Sequence, residues 1–359
     1  MTATLACAAL FALTGALFLV PLIPAIVELR LKRDAKALNV IQQYAGDIRH
    51  FSQGFRSYTA DLLEPLRECV SSGGTATGTL PHGDQCLLLG SPDAAELLQP
   101  GSTDNTCDFV VLAGANITLP GGITFTKELF ASRQITAGER CTYRAILCDS
   151  DVRLGRASHV SRWAHAAGKF QAGENCDLFG RISSEREIEL LPGCVFQRLN
   201  APRIAFGAVN ETQEREPSIA ISSEALNKGI AATRQLVDND LEIAPGAVIA
   251  ASIVTRGNLT IGAGARILGS AKSHKQMTLG QGALVAGSLI SVSTIHIGAN
   301  CEVAGPVIAE HGLEIESGTH CGTTQKPTTV SAPTIQIEEG AVVYGTIWAR
   351  QEGQVLPCK

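Results

Sequence analysis

Two histidines in an arginine-bearing stretch, His159 and His165 beside Arg156 and Arg162, are the residues best suited to proton transfer. Either ring could serve as the general base of an acyl transfer. A base of that kind needs a third group to orient it, and the sequence places no carboxylate beside either ring. The competing reading is polar residues on a solvated face. The eleven cysteines form no CxxC pair and no His/Cys zinc spacing. Cys141, Cys176 and Cys321 fall among Val and Ile positions, where a thiol acts as a small hydrophobe; a metal or redox site is the sharper alternative. Cys69, Cys86 and Cys107 could pair only in an oxidising compartment. The GAGA at 262–265 lacks the Lys–Ser/Thr and following helix of a phosphate loop. No catalytic residue, metal ligand or cofactor is therefore assigned, and a net charge of −5 speaks against a nucleic-acid partner.

What would position such residues is a repeat. LTIGAGARILGSAKSHKQ at 259–276 is followed by MTLGQGALVAGSLISVST at 277–294 and IHIGANCEVAGPVIAEHG at 295–312. In 18-residue lines, the first column holds Leu241, Leu259, Met277, Ile295 and Leu313. The third holds Ile243, Ile261, Leu279, Ile297, Ile315 and, after a four-residue insertion, Ile337. The sixth holds Gly246, Gly264, Gly282, Asn300, Gly318 and Gly340, residue types that accept positive φ at a corner. The ninth holds Ile249, Ile267, Val285, Val303, Cys321 and Val343, the eleventh is small, and the thirteenth holds Ile253, Ala271, Leu289, Val307 and Ile347. Residues two apart share a strand face. A chain that turns a corner and returns one rung later winds an all-β solenoid, its aliphatic columns stacked inside. Only 5% of the residues are aromatic, which suits a narrow interior.

The same grammar extends loosely upstream. Leu119, Ile135, Leu154, Phe170, Leu190 and Phe206 take the third column. Gly122, Gly138, Gly173 and Gly193 take the sixth, and Phe125, Cys141, Val160, Cys176 and Phe196 the ninth. About twelve coils follow, a rod of roughly 55–60 Å. The charged and helix-forming segment 207–240 reads as an excursion from that rod.

Leu5 to Val27 is uncharged, long enough for a transmembrane helix. Arg30, Lys32, Arg33 and Lys36 follow it, which predicts a single-pass span of the inner membrane, amino terminus outside and the rest in the cytoplasm. Ile41, Tyr44, Ile48, Phe51, Phe55, Tyr58 and Leu62 then step by three and four, the seam of an amphipathic helical neck that packs against membrane or body. The predicted organisation is an anchor and basic stop at 1–33, the amphipathic helix at 34–70, a linker and irregular segment at 71–108, irregular coils at 109–206, the inserted loop or helix at 207–240, regular coils at 241–350 and a tail at 351–359.

IGAGARILGSA at 261–271, LGQGALVAGSL at 279–289, IGANCEVAGPV at 297–307 and IEEGAVVYGTI at 337–347 share the form I-G-x-G-A-x-V-x-G-x-I. Residues 241–348 thereby resemble the bactofilin family of polymer-forming cytoskeletal proteins. The left-handed hexapeptide helix of many acyltransferases is the alternative, but it has no need of the aliphatic thirteenth column. The bactofilin resemblance implies a right-handed β-helix, end-to-end homo-oligomerisation or polymerisation, and a scaffold that recruits envelope-synthesis proteins at the inner membrane. Self-association is then expected at the terminal coils, through Ile337, Val343 and Ile347 at one end and Leu119 and Phe125 at the other. A β-helix acyltransferase acting on a sugar or envelope precursor is the alternative function, and a passive interaction rod a third.

Overall fold

Residues 18 positions apart become hydrogen-bonded neighbours in a computed structural model that describes residues 2–23, 50–80, 82–92, 105–207 and 234–358. Leu241, Leu259, Met277, Ile295 and Leu313 stand on successive parallel rungs of one ladder. Ile249, Ile267, Val285, Val303, Cys321 and Val343 do so on a second. Ile253, Ala271, Leu289, Val307 and Val330 do so on a third. The fold is a β-solenoid of about twelve turns. The four-residue insertion is a turn in which Lys326 N bonds Thr323 Oγ1 at 2.9 Å, so it leaves the ladders in register.

The corner residues carry the geometry. Gly246, Gly264, Gly282, Asn300, Gly318 and Gly340 all have positive φ. In the first half the same corner is turned by Gly122, Arg140, Ala157, Asn175 and Gly193. This corrects the upstream columns. Gly138 and Gly173 are not corners. A Cβ on Gly138 would lie 2.5 Å from Gly121 N, and one on Gly173 2.8 Å from Arg156 N. They serve close approach of one coil to the next, as Gly262 and Gly280 do in the regular half. The ladders therefore stack Phe125, Tyr143, Val160, Leu178 and Phe196, with Cys141 and Cys176 two positions earlier, at the corner. Ile117, Ile135, Val152, Phe170, Ile188 and Ile204 form one inner column, and Leu119, Ala137, Leu154, Ala172, Leu190 and Phe206 the next.

The solenoid is not one continuous winding. Val195–Phe206, the last coil of the first half, pairs antiparallel with Val342–Leu356, the last coil of the second. Leu199 faces Ile347, Ile204 faces Val343, and Asn200 Nδ2 donates to Thr346 Oγ1 at 2.8 Å. Gly353 leaves room for the Phe196 ring, which would lie 2.2 Å from a Cβ there. The chain leaves the joint at Gly207 and re-enters at Arg234–Val237. From there the third ladder takes seven steps back, through Ile253, Ala271, Leu289, Val307, Val330 and Ile347 to Leu199. One continuous core runs through both halves.

Three boundaries differ from those expected. Residues 71–85 are not a linker: Thr75–Thr79 forms an antiparallel hairpin with Gln85–Leu89, and the latter strand opens the first coil. Arg234–Val237 belongs to a coil and not to the excursion. The expected tail contributes a further rung, with Val355 buried beside Ile337.

The neck packs on the body. His50–Tyr58 (α2) and Leu63–Ser72 (α3) flank a short 3-10 turn, and Gly73 ends α3 in the left-handed conformation. Phe55, Leu66 and Cys69 join Leu88, Val110, Leu112, Phe130, Leu147 and Trp163 in a second core on the outer face of the third ladder. Strands covered on both faces read as unbroken apolar runs, as VVLA at 110–113 does. Of the expected seam, Phe51 is exposed, while Ile41, Tyr44 and Ile48 lie outside the described residues.

The N-terminal unit, residues 1–47, is separate from the unit 48–359. Thr2–Leu19 (α1) is helical and a 3-10 turn, Val20–Leu22, follows. Pro21 has no N–H to continue α1, and residues 24–27 of the expected span lie outside the described residues. Among the described residues no helix is long and apolar enough to cross a membrane.

If the antiparallel joint is part of the core, Ile347→Ala should lower the unfolding free energy of the protein by about 2–5 kcal/mol. Urea titration followed by the emission of Trp163 and Trp348 measures this, and an unchanged midpoint would show that the two halves do not support one another.

Candidate functional site

The histidines are brought beside carboxylates by the coil repeat itself. His296 Nδ1 lies 3.0 Å from Glu314 and its Nε2 3.2 Å from Glu316. His165 Nδ1 lies 2.8 Å from Ser183 Oγ, and Nε2 is 3.9 Å from Glu185. Serine, histidine and glutamate are the residue types of a nucleophile, its base and an orienting group. Here they face out from the third ladder at the end of the column Leu112, Phe130, Leu147, His165, Ser183, Asn200. His165 is 6% exposed and Ser183 3%, so the arrangement is a buried hydrogen-bonded network. His159 tilts against Phe179 at 5.6 Å. His320 is half-buried, and its partial desolvation lowers its pKa. No carboxylate adjoins these rings along the chain; in a solenoid the orienting neighbour stands one coil later, as Glu314 does for His296.

The cysteines have a structural use. At five of the left-handed corners the next residue is a cysteine or threonine whose side chain donates to a carbonyl of the coil below. Cys141 Sγ donates to Pro120 O at 3.3 Å, Cys176 to Gly155 O at 3.3 Å, Cys194 to Gly173 O at 3.0 Å and Cys301 to Gly280 O at 3.2 Å. Thr319 Oγ1 donates to Gly298 O at 2.9 Å in the same place. Burial pushes the Cys148 and Cys321 thiols up to about 12 and that of Cys301 to about 11. Among the described residues no group of three or more His, Cys, Asp or Glu is placed to hold a metal ion.

The residues expected to mediate self-association do not share one surface. Ile337, Val343 and Ile347 are buried, and the strand edge carrying Val343 and Ile347 is taken up within the chain by Val195–Phe206. Leu119 and Phe125 are buried in the first coils, where Phe125 stacks on Tyr143 at 5.2 Å. The exposed coil is the one that opens the second half. Arg234–Val237, Leu241–Ile243 and Val248–Ile249 each pair on one side only among the described residues. Leu236 is 62% exposed and Val248 63%. A shallow concavity of about 470 Å³ adjoins it, lined by Asp240, Glu242, Asn258 and Gln276. Asp240 accepts from Asn258 N at 2.7 Å, and this bond holds its carboxyl below the usual range.

Comparison with known proteins finds no matching family, no similar characterised protein and no similar solved structure. The β-solenoid is thus the level at which the chain can be classed.

Thiols this deeply buried should be inert. Alkylation of the folded protein at pH 8 should modify Cys358, which is exposed, and spare the nine buried cysteines between Cys69 and Cys321 until denaturant is added. Peptide mass mapping reads the outcome, and modification of Cys176 or Cys301 in the native state would contradict the assigned packing.

Proposed function

We propose that this protein is a non-enzymatic, bactofilin-like scaffold, held at the inner membrane by residues 5–27, that self-associates and organises envelope-synthesis proteins. The right-handed winding of that family belongs to the same reading. The observation that carries it is the coil at 234–249. Among the described residues its three strands each pair on one side only, and such an edge is a template for another chain. Two apolar side chains, Leu236 and Val248, stand open beside those edges. The internal joint supplies a precedent, since two end coils of this chain already meet through antiparallel pairing. Support for the membrane association comes from α1, an uncharged helix whose Leu5, Leu10, Leu13, Leu17 and Phe18 are all exposed. The basic cluster at 30–36 supports a cytoplasmic solenoid by the excess of positive charge on that side.

The double variant Leu236→Arg/Val248→Arg should shift the detergent-solubilised full-length protein toward the monomer in sedimentation velocity. An unchanged assembly size would remove the open coil from the mechanism. The orientation has its own test. A membrane-impermeant thiol reagent should label Cys358 only after spheroplasts are permeabilised, and labelling of Cys358 in intact spheroplasts, read by peptide mapping, would reverse the topology.

A further inference from the structure

Where the two halves meet, the outer column of the third ladder runs Trp163, Arg181, Arg198, Trp348 on consecutive rungs. Like charges on adjacent strands destabilise a sheet unless something compensates them. No carboxylate does so here. Among the described residues every ion pair involves other side chains, and none includes Arg162, Arg181, Arg198 or Arg350. The guanidinium groups are instead held by rings. Arg181 lies 4.7 Å from the centre of Phe51 on α2, and Arg198 lies 4.3 Å from that of Trp348. Arg350 is fixed by donating to Glu310 O at 3.2 Å. Together with Arg162 they line a concavity of about 270 Å³, bordered by Phe179 and Trp348. Burial and the charge of Arg181 both lower the pKa of Arg198, as expected where positive charge is crowded and partly desolvated.

We infer that this concavity is a binding site for a small, multiply charged phosphate ligand such as a diphosphate group, whose charge and number of oxygens suit engagement of Arg181 and Arg198 together. Stacked guanidinium groups keep their planar forks free for bidentate contact with phosphoryl oxygens. Their side chains are already ordered by the rings, so binding immobilises less. The half-exposed rings of Trp348 and Phe179 flank the anion subsite and suit a sugar ring or apolar chain attached to the diphosphate. The site exists only because the halves meet antiparallel: Arg162, Arg181 and Arg198 come from the first half, Trp348 and Arg350 from the second.

Trp348 is one of two tryptophans and reports the site directly. Titration of the full-length protein with inorganic pyrophosphate should change its emission saturably, with orthophosphate at least tenfold weaker. Arg181→Gln and Arg198→Gln should each weaken pyrophosphate binding tenfold or more, read also by calorimetry. Arg266→Gln, an exposed basic residue on another coil, should leave it unchanged. Where Arg198→Gln lowers the unfolding midpoint, Arg162→Gln at the rim serves in its place. Vesicles containing phosphatidic acid form a second arm: binding that also needs Arg181 and Arg198 assigns the phosphate to a lipid headgroup, and binding of pyrophosphate alone assigns it to a soluble ligand. The inference is overturned by the absence of saturable pyrophosphate binding, or by equal loss in the Arg266→Gln variant.

Discussion

Every coil of this protein must settle on the one below at the hydrogen-bonding distance between strands, about 4.8 Å. That single spacing dictates the residue types of the sequence more than any local propensity does. It admits no Cβ where backbones cross, hence Gly138, Gly155, Gly262 and Gly280. It demands a left-handed residue at one corner of each turn, mostly glycine or asparagine. At several corners the next residue, a cysteine or threonine, is small and carries a donor that reaches a carbonyl of the coil below. Cys141, Cys176, Cys194 and Cys301 are in this way part of the packing of the coils.

The regular half was readable in the sequence because its period is constant. The columns that begin at Leu241, Ile243, Ile249 and Ile253 keep the register assigned from spacing, except that the insertion hides Val330, which stands between Val307 and Ile347. The first half was readable as solenoid but not in register. Gly138 and Gly173 stand where the spacing predicts corners, whereas Arg140, Ala157 and Asn175 adopt the positive φ. A glycine reports only that a side chain is excluded, and two different exclusions two or three residues apart look alike in a sequence. The same ambiguity moved Cys141 and Cys176 into a column that belongs to Tyr143 and Leu178.

Two features left no periodic trace at all. An antiparallel joint pairs Ile204 with Val343 and Leu199 with Ile347, so it places side by side residues whose separations share no common offset. Parallel stacking writes a repeat into the sequence; antiparallel stacking does not. The arginine cluster escaped for the same reason, being assembled from Arg181 and Arg198 on one side of that joint and Trp348 and Arg350 on the other. The covering of the third ladder by α2 and α3 left a weak sign only, in strands such as VVLA and AILC that are apolar at every position.

The reversal has a consequence for how the molecule is used. A solenoid wound in one direction has two unlike ends, and stacking copies of it head to tail is open-ended. Here the last coils of both halves are spent on one another, and the first coil of the first half is partly covered by the hairpin at 75–79 and by α3. The least covered coil is the one at 234–249. Two copies meeting through the same coil are related by a two-fold axis, so their strands pair antiparallel and the contact closes on itself. The residues 195–206 and 342–356 already form such a contact within one chain. If copies associate in this way, the contact favours a discrete pair over an unlimited filament. The concavity at each internal joint would then recur at a fixed distance on either side of the two-fold axis, presenting two copies of the same arginine cluster on one particle.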